Sequence, residues 1–171
     1  MLKSTTLFFI SFLFLSACTY TTEDIRMHER EHETYNYQGK TYQFLEKIKV
    51  HDPDNKLKIP EFDINNFVKS TISNKLKEIG LKQSTAQADI IISYGIDIDM
   101  NASKFNLFGN SKDGFMINKP KSALTIVISN KKNNVILWSA WVNAQYKQLE
   151  TEVAKKRIEY AISELFKKFP N

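Results

Sequence analysis

The sequence predicts an α+β two-layer sandwich, in which a mainly antiparallel sheet carries two helices on one face. Period-two apolar alternation marks four strands, and apolar stripes at helical spacing mark two helices. The order strand-helix-strand-strand-strand-helix favours helices packed together on a single sheet. The 171 residues, 42% hydrophobic and 25% charged, suit one folded domain rather than a disordered chain, and the net charge is +5.

The first predicted strand and helix open the folded part. Residues 40–49 alternate Tyr42, Phe44 and Ile48, as a half-buried strand does. A turn cluster at 51–55 follows. Asp63 is then a suitable N-cap for a helix, and Gly80 sits where a C-terminal glycine is expected. The stripe of this helix is formed by Ile64, Val68, Ile72, Leu76 and Ile79.

A long strand is predicted over 88–102, where every second residue from Ile90 to Met100 is apolar. Asp97 and Asp99 occupy alternate places and therefore point to the other face. A carboxylate pair is a candidate for metal binding or acid-base chemistry. A solvated strand face explains the pair more simply, because neither aspartate has a recognised partner at a known spacing.

Two further strands, 122–129 and 135–146, are joined by a short hairpin loop at 130–134. Trp141 lies on the face opposite Trp138. Tryptophan is common among interface anchors, so Trp141 is either a contact residue or part of a second buried face. The last helix is predicted over 149–169, and Pro170 ends it. Its apolar stripe consists of Ala154, Ile158, Ala161, Ile162, Leu165 and Phe169.

Residues 1–17 have the layout of a secretory signal peptide. Lys3 supplies the positive start, Leu7 to Leu15 form an apolar run broken only by Ser11, and small residues follow. The apolar run is too short to span a hydrocarbon core of ~30 Å as a permanent helix. The chain is therefore expected to be exported.

Cys18, the only cysteine, comes directly after this signal, so no disulfide can form within the chain. The stretch Leu15-Ser16-Ala17-Cys18 resembles the lipobox of bacterial lipoproteins. The resemblance implies cleavage between Ala17 and Cys18 and attachment of diacylglycerol and a further acyl chain, such as palmitate, at Cys18. Two or more acyl chains anchor a protein stably, whereas one does so only marginally. Thr19 replaces the aspartate that retains such proteins at the inner membrane, which implies the outer membrane, facing the periplasm.

Residues 19–34 are predicted to be a charged tether between the lipidated Cys18 and a single domain at 35–171. Five acidic residues, two arginines and few apolar residues argue against a place in the core. His28 and His32 are four residues apart, which would put them on one face of a helix. They are weak metal candidates only, because zinc sites take three or four protein ligands and no third is fixed here.

The connection at 103–121 is the most apolar of the loops and alternates aromatic with basic residues. An exposed apolar patch of this kind marks a partner or membrane contact. The alternative is a short hairpin whose aromatic rings fold back over the sheet edge. The possible interaction residues here are Phe105, Leu107, Phe108, Phe115 and Met116.

Four segments together resemble the domain-of-unknown-function 4136 family of bacterial lipoproteins. They are Lys40–Phe44, Ala88–Tyr94, Val135–Ala140 and the closing helix with its terminal Phe169-Pro170. The sequence departs from the family where a basic residue and a glycine usually follow the hairpin tryptophan, since Ser139-Ala140 stand there. The resemblance implies a fold similar to envelope lipoproteins that act in assembly or as scaffolds, and it implies no activity.

No nucleophile elbow, phosphate loop, dinucleotide fingerprint or HExxH helix is present. We therefore expect a non-enzymatic, lipid-anchored envelope protein that binds an envelope protein partner or helps assembly, without a cofactor. Nucleic acid is not an expected partner for an exported lipoprotein. Two alternatives stay open: an envelope enzyme using Asp97 and Asp99, and a carrier that lodges a small apolar ligand beside Trp138 and Tyr94.

Overall fold

The computed structural model of the chain describes residues 22, 24–45, 50–51, 62–97, 104–106, 116–118, 124–144 and 149–170. These residues form two helices and nine strands. In chain order the elements are β1 Arg26–Glu31, β2 Thr41–Phe44, β3 Val50–His51, α1 Ile64–Glu78, β4 Lys82–Gln83, β5 Ile90–Asp97, β6 Lys104–Asn106, β7 Met116–Asn118, β8 Leu124–Asn130, β9 Ile136–Asn143 and α2 Thr151–Phe166.

The main sheet has the strand order β1-β9-β8-β5-β2-β4, and β3 pairs with β5 beyond this path. The pairings β1–β9, β9–β8 and β8–β5 are antiparallel, whereas β2 pairs in parallel with both β5 and β4, and β3 pairs in parallel with β5. The predicted α+β class is therefore confirmed, with an antiparallel half and a parallel half. The parallel half follows from α1, because a helix crossover joins β2 to β5 and parallel neighbours need such a connection.

Both ends of α1 agree with the sequence prediction. The Asn66 N–H donates to Asp63 Oδ1 at 3.0 Å, so Asp63 caps the helix as expected. Gly80 has a φ of +87°, the left-handed conformation that glycine adopts most easily after a helix. The stripe residues Val68, Ile72 and Leu76 are buried.

The two helices pack on the same face of the sheet, as predicted. The Tyr94 hydroxyl of β5 donates to Asn65 Oδ1 of α1 at 2.7 Å. Trp138 of β9 packs against Phe166 of α2 and against Phe169, with ring centroids 5.7 and 5.1 Å apart. Tyr94 and Trp138 lie on one face of the sheet, because β8 links them through the register pairs Ile92 with Ile128 and Ile128 with Trp138. The core therefore lies between this face and the helices.

The opposite face of the sheet is also buried at its centre, unlike the solvated face that the alternation predicts. Val127 is 1% exposed there, and its small polar neighbours are 1–3% exposed. These neighbours are Ser93, Thr125, Ser129 and Ser139. Hydroxyl-bearing and small side chains thus line the middle of the face that points away from the helices.

The prediction of a tether over 19–34 is wrong for its second half. Residues 26–31 form β1, which pairs with the full length of β9 from Arg26 opposite Asn143 to Glu31 opposite Trp138. Ile25 is buried in the core, and Met27 packs against it. Composition misled because an edge strand can bury very few side chains, and in this one all side chains except that of the half-buried Met27 are exposed.

Candidate binding surface at the sheet edge

The edge strand β1 is the part of the described domain that offers the most unpaired backbone. It ends the strand order of the main sheet, and all of its side chains are exposed except that of the half-buried Met27. The His32 N–H donates to the Leu137 carbonyl at 2.9 Å, directly opposite in register. Since hydrogen-bonded and non-bonded pairs alternate along an antiparallel ladder, every second residue from Arg26 bonds to β9.

The remaining β1 residues, Met27, Glu29 and Glu31, therefore turn their N–H and C=O groups outward, away from β9. No described residue pairs with this edge. We use the name "β1 edge surface" for Arg26–Glu31 together with Ser139, Trp141 and Asn143, the β9 residues that lie opposite Arg30, His28 and Arg26.

The side chains of β1 are separated by charge between the two faces of the sheet. Arg26, His28 and Arg30 point away from the helices, on the face of Trp141 and Ser139. Glu29 and Glu31 point to the helix side, together with Met27. Within the described parts of the chain, neither Arg26 nor Arg30 forms an ion pair, so both guanidinium groups present their charge to solvent.

An aromatic and histidine pair forms the centre of the β1 edge surface. The His28 and Trp141 rings stack with centroids 5.4 Å apart and an angle of 13° between their planes. Asn143 Nδ2 lies 3.5 Å from His28 Nε2, and Asn143 Oδ1 is buried and accepts no hydrogen bond from the described part of the chain. The half-buried Trp141 gives this part of the surface a rigid apolar plate.

A buried ion pair fixes the start of β1 on the helix layer. Arg157 Nη2 of α2 donates to both carboxylate oxygens of Asp24, at 2.9 and 3.0 Å, and the two side chains are 10% and 13% exposed. Buried Ile25 follows directly. This clamp makes the edge strand part of the rigid domain, which favours binding over the tethering role predicted for this segment.

The structure places His28 in β1 and His32 directly after it, where the His32 N–H still bonds to β9, so the helical spacing assumed for the two histidines is wrong. Residues four apart on a strand are ~13 Å apart, too far for one metal ion. His28 stacks on Trp141, and His32 Nε2 lies 3.0 Å from Ser139 Oγ. Within the described ranges no group of three or more His, Cys, Asp or Glu side chains comes together.

Of the other predicted site residues, Trp141 alone belongs to the β1 edge surface. Phe105 and Met116 lie in a separate two-stranded hairpin, β6–β7, in which Phe105 pairs with Ile117 and Asn106 with Met116. Asp97 ends β5 opposite His51 of β3. The predictions at Ala17, Cys18, Asp99, Leu107, Phe108 and Phe115 lie outside the described residues.

Sequence reasoning missed the contribution of Asp24, Arg26, Arg30 and Arg157. The available signal was the spacing of Ile25 and Met27, two apolar residues on one side of a charged stretch.

None of the described helices is long and apolar enough to span a membrane.

The profile of one protein family matches residues 28–171, from within β1 to the end of the chain, and its description is "Domain of unknown function (DUF4136)". The chain belongs to this family. No curated protein matches the chain.

One solved structure with a TM-score above 0.5 supports the fold. A DUF4136 family protein from Bacteroides thetaiotaomicron VPI-5482 is 10% identical with a TM-score of 0.59, over 85% of this chain and 96% of that one. A PelC dodecamer from Paraburkholderia phytofirmans is 11% identical with a TM-score of 0.47, over 82% and 94% of the two chains. A PDZ domain protein from Parabacteroides distasonis ATCC 8503 is 16% identical with a TM-score of 0.43, over 90% and 39%.

Proposed function

We propose that this is a lipid-anchored protein of the bacterial envelope that binds an envelope protein through the β1 edge surface and catalyses no reaction. The single observation that carries the binding role is the exposed edge of β1, where outward backbone groups lie beside Arg26 and Arg30, which form no ion pair with any described residue. Peptide segments bind such edges through main-chain hydrogen bonds, and side chains then select the partner.

The anchoring part of the proposal rests on the lipobox-like Leu15-Ser16-Ala17-Cys18 behind a short apolar run. Acylation of Cys18 would hold the domain at the membrane surface, on the outer membrane facing the periplasm. A lipid anchor suits a binding protein, because confinement to one surface raises the effective concentration of partners on that surface.

The carrier alternative finds less support than partner binding. A ligand cavity beside Trp138 and Tyr94 would need space around their rings. Trp138 is instead fully buried against Phe166 and Phe169, and Tyr94 is held by hydrogen bonds to Asn65.

Anchoring is tested by Cys18→Ser with labelled palmitate and membrane fractionation. We expect the variant to lose the label and to leave the membrane fraction, since no other residue would carry the acyl chains. Ser11→Ala, within the apolar run, is the matched control and should keep both. A Cys18→Ser protein that stays labelled in the membrane would refute the anchor.

Partner binding is tested in intact cells by a photo-crosslinking amino acid at Arg30 and, as control, at the exposed Glu159 of α2. A discrete protein adduct should form from position 30 and not from position 159. Adding Arg26→Glu should weaken the adduct at position 30. Equal adducts from both positions, or none from either, would refute the β1 edge surface as the binding region.

A further inference from the structure

We infer that the β1 edge receives an extended segment of another protein as an added strand, and that this segment places acidic side chains opposite Arg26, His28 and Arg30. The inference rests on the proposed partner-binding function and names the chemistry of the partner.

The backbone of β1 sets the first requirement. The outward N–H and C=O groups of Met27, Glu29 and Glu31 recur every second residue, which is the spacing of one side of a β-ladder. A partner segment must therefore be extended over about six residues, in order to use all three positions. The clamp between Asp24 and Arg157 holds this edge in place beforehand, so little order has to be gained on binding.

The side chains of β1 set the second requirement. Residues directly opposite on paired strands point to the same face, so a new strand places its side chains beside Arg26, His28 and Arg30 on one face. Acidic side chains complement the two arginines there. On the other face the new strand meets Glu29, Glu31 and Met27, where apolar or basic side chains fit and acidic ones are repelled.

A second copy of this chain is a poor occupant of the same edge. Antiparallel pairing of two β1 strands keeps the faces of both sheets aligned, so each residue meets another from its own face. A register with Glu29 opposite its own copy pairs two glutamates, and one with Arg30 opposite its own copy also sets Glu29 opposite Glu31. A register with Arg26 opposite Arg30 pairs two arginines. Like charges directly opposite each other destabilise a strand pair, so a different protein with a complementary strand is favoured.

Two labelled eight-residue peptides test the inference, and both carry lysine at every second position to face Glu29 and Glu31. The remaining positions, which face Arg26 and Arg30, are glutamate in the glutamate peptide and lysine in the lysine peptide. Binding to the full acylated protein in lipid nanodiscs is measured by fluorescence anisotropy. We expect the glutamate peptide to bind at least about tenfold more tightly than the lysine peptide, since two or three opposite-charge pairs replace like-charge pairs. Arg26→Glu with Arg30→Glu should reverse this order.

Glu29→Pro separates strand addition from simple charge attraction. The Glu29 N–H points outward, so proline removes a donor from the free edge and leaves the bonds to β9 in place. We expect Glu29→Pro to weaken the glutamate peptide about tenfold, whereas Glu29→Ala, the matched control, should not. Amide hydrogen exchange should slow at Glu29 and Glu31 of the unaltered protein when the glutamate peptide binds. This exchange measurement uses the unaltered protein, so it tests the inference even if the proline variant does not fold.

Three results would overturn the inference. They are equal affinity for both peptides, unchanged exchange at Glu29 and Glu31, and self-association of the protein that Glu29→Pro abolishes. The last result would make a second copy the occupant. Failure of the proposed function can be told apart from failure of this inference. It would show as the absence of any envelope protein adduct from position 30, independently of the peptide affinities.

Discussion

At the residue scale, Asp89 joins the first residues of the two parallel strands β2 and β5. The Thr41 N–H and hydroxyl donate to Asp89 Oδ2 at 2.8 and 2.9 Å. These two hydrogen bonds favour the charged carboxylate and hold the pKa of Asp89 below its usual value. The contact aligns the start of β2 with that of β5 before their backbone pairing begins at Tyr42 and Ile90.

Asp89→Asn should make the molecule less stable at neutral pH and leave it nearly unaffected in acid. Because the folded-state pKa is lower than the unfolded one, the charged carboxylate stabilises the fold above pH ~4 and loses this effect as the pH falls further. We expect a loss of about 0.5 kcal/mol at pH 7, since the contact is exposed to water. Urea denaturation at pH 7 and pH 3 checks this. Glu159→Gln is the control, and a difference independent of pH would contradict the assignment.

The two buried tyrosines Tyr94 and Tyr37 differ in the hydrogen bonding of their hydroxyl groups. Tyr94 donates to Asn65, whereas Tyr37 Oη is buried and has no hydrogen-bond partner among the residues that the structure describes. Burial raises the pKa of both phenols well above the ordinary value, so both stay protonated. The Tyr37 ring nevertheless packs on Phe169 at 4.6 Å between centroids, so the ring contributes to the core while its hydroxyl does not.

Tyr37→Phe should therefore leave the free energy of unfolding unchanged or raise it by up to about 1 kcal/mol, because it removes a buried donor without a partner. Tyr94→Phe, the matched control, should lower it by about 1 kcal/mol through the lost bond to Asn65. Thermal and urea unfolding of both variants checks the pair. An equal loss in both would show that the Tyr37 hydroxyl has an acceptor in solution.

At the scale of elements, the sequence predicted the helices and strands that bury an apolar stripe. The helices α1 and α2 and the strands β5, β8 and β9 appear within a few residues of their predicted ranges. Each carries several apolar residues at a regular period, and packing against the opposite layer fixes that period. The short strands β3 and β4 have two residues each, too few to show any periodicity.

The candidate site was predictable only where an unusual residue drew attention. Trp141 stood out because it faces away from the core stripe of its strand. Arg26 and Arg30 did not, since charged residues in an acidic stretch look the same in a tether and on an edge strand. Asp24 and Arg157 are 133 positions apart in sequence, and their pairing depends on how α2 lies across β1, which no local pattern encodes.

The clamp between Asp24 and Arg157 should be the most sensitive polar contact between β1 and α2. Asp24→Asn removes the carboxylate charge that pairs with the buried Arg157, so we expect a loss of about 3 kcal/mol in unfolding free energy. Arg157→Met combined with Asp24→Asn should lose less than the two single changes together, because the two residues act as a pair. Chemical denaturation of the three variants gives the coupling.

The exposed pair between Glu152 and Lys155 on the same helix, 2.8 Å apart, is the matched control for the clamp. Glu152→Gln should leave stability nearly unchanged, because water screens exposed ion pairs. If Asp24→Asn were as mild as Glu152→Gln, the start of β1 would not be fixed by this contact.

At the scale of the whole molecule, docking of β1 shortens the link between the proposed anchor and the domain. A chain extends at most ~3.6 Å per residue, so Asp24 lies within about 22 Å of Cys18. A sixteen-residue tether would have allowed ~55 Å. In the proposed anchored state the domain therefore stays close to the membrane surface, and the β1 edge surface, which begins two residues after Asp24, is the part nearest the anchor along the chain.

The same docking makes residues 24–31 part of the folding unit, which truncation tests. A chain beginning at residue 35 loses the buried Ile25, leaves Arg157 without Asp24 and exposes the long edge of β9. Apolar burial of ~2 kcal/mol and the lost ion pair between Asp24 and Arg157 of ~3 kcal/mol together predict a loss of about 5 kcal/mol, comparable with the total stability of a small domain. An exposed β9 edge also favours aggregation.

We expect a chain beginning at residue 22 to unfold cooperatively as a monomer in circular dichroism and sedimentation, and one beginning at residue 35 to be unfolded or aggregated. Equal stability of the two chains would show that residues 24–31 add nothing to the folded domain and act as a tether.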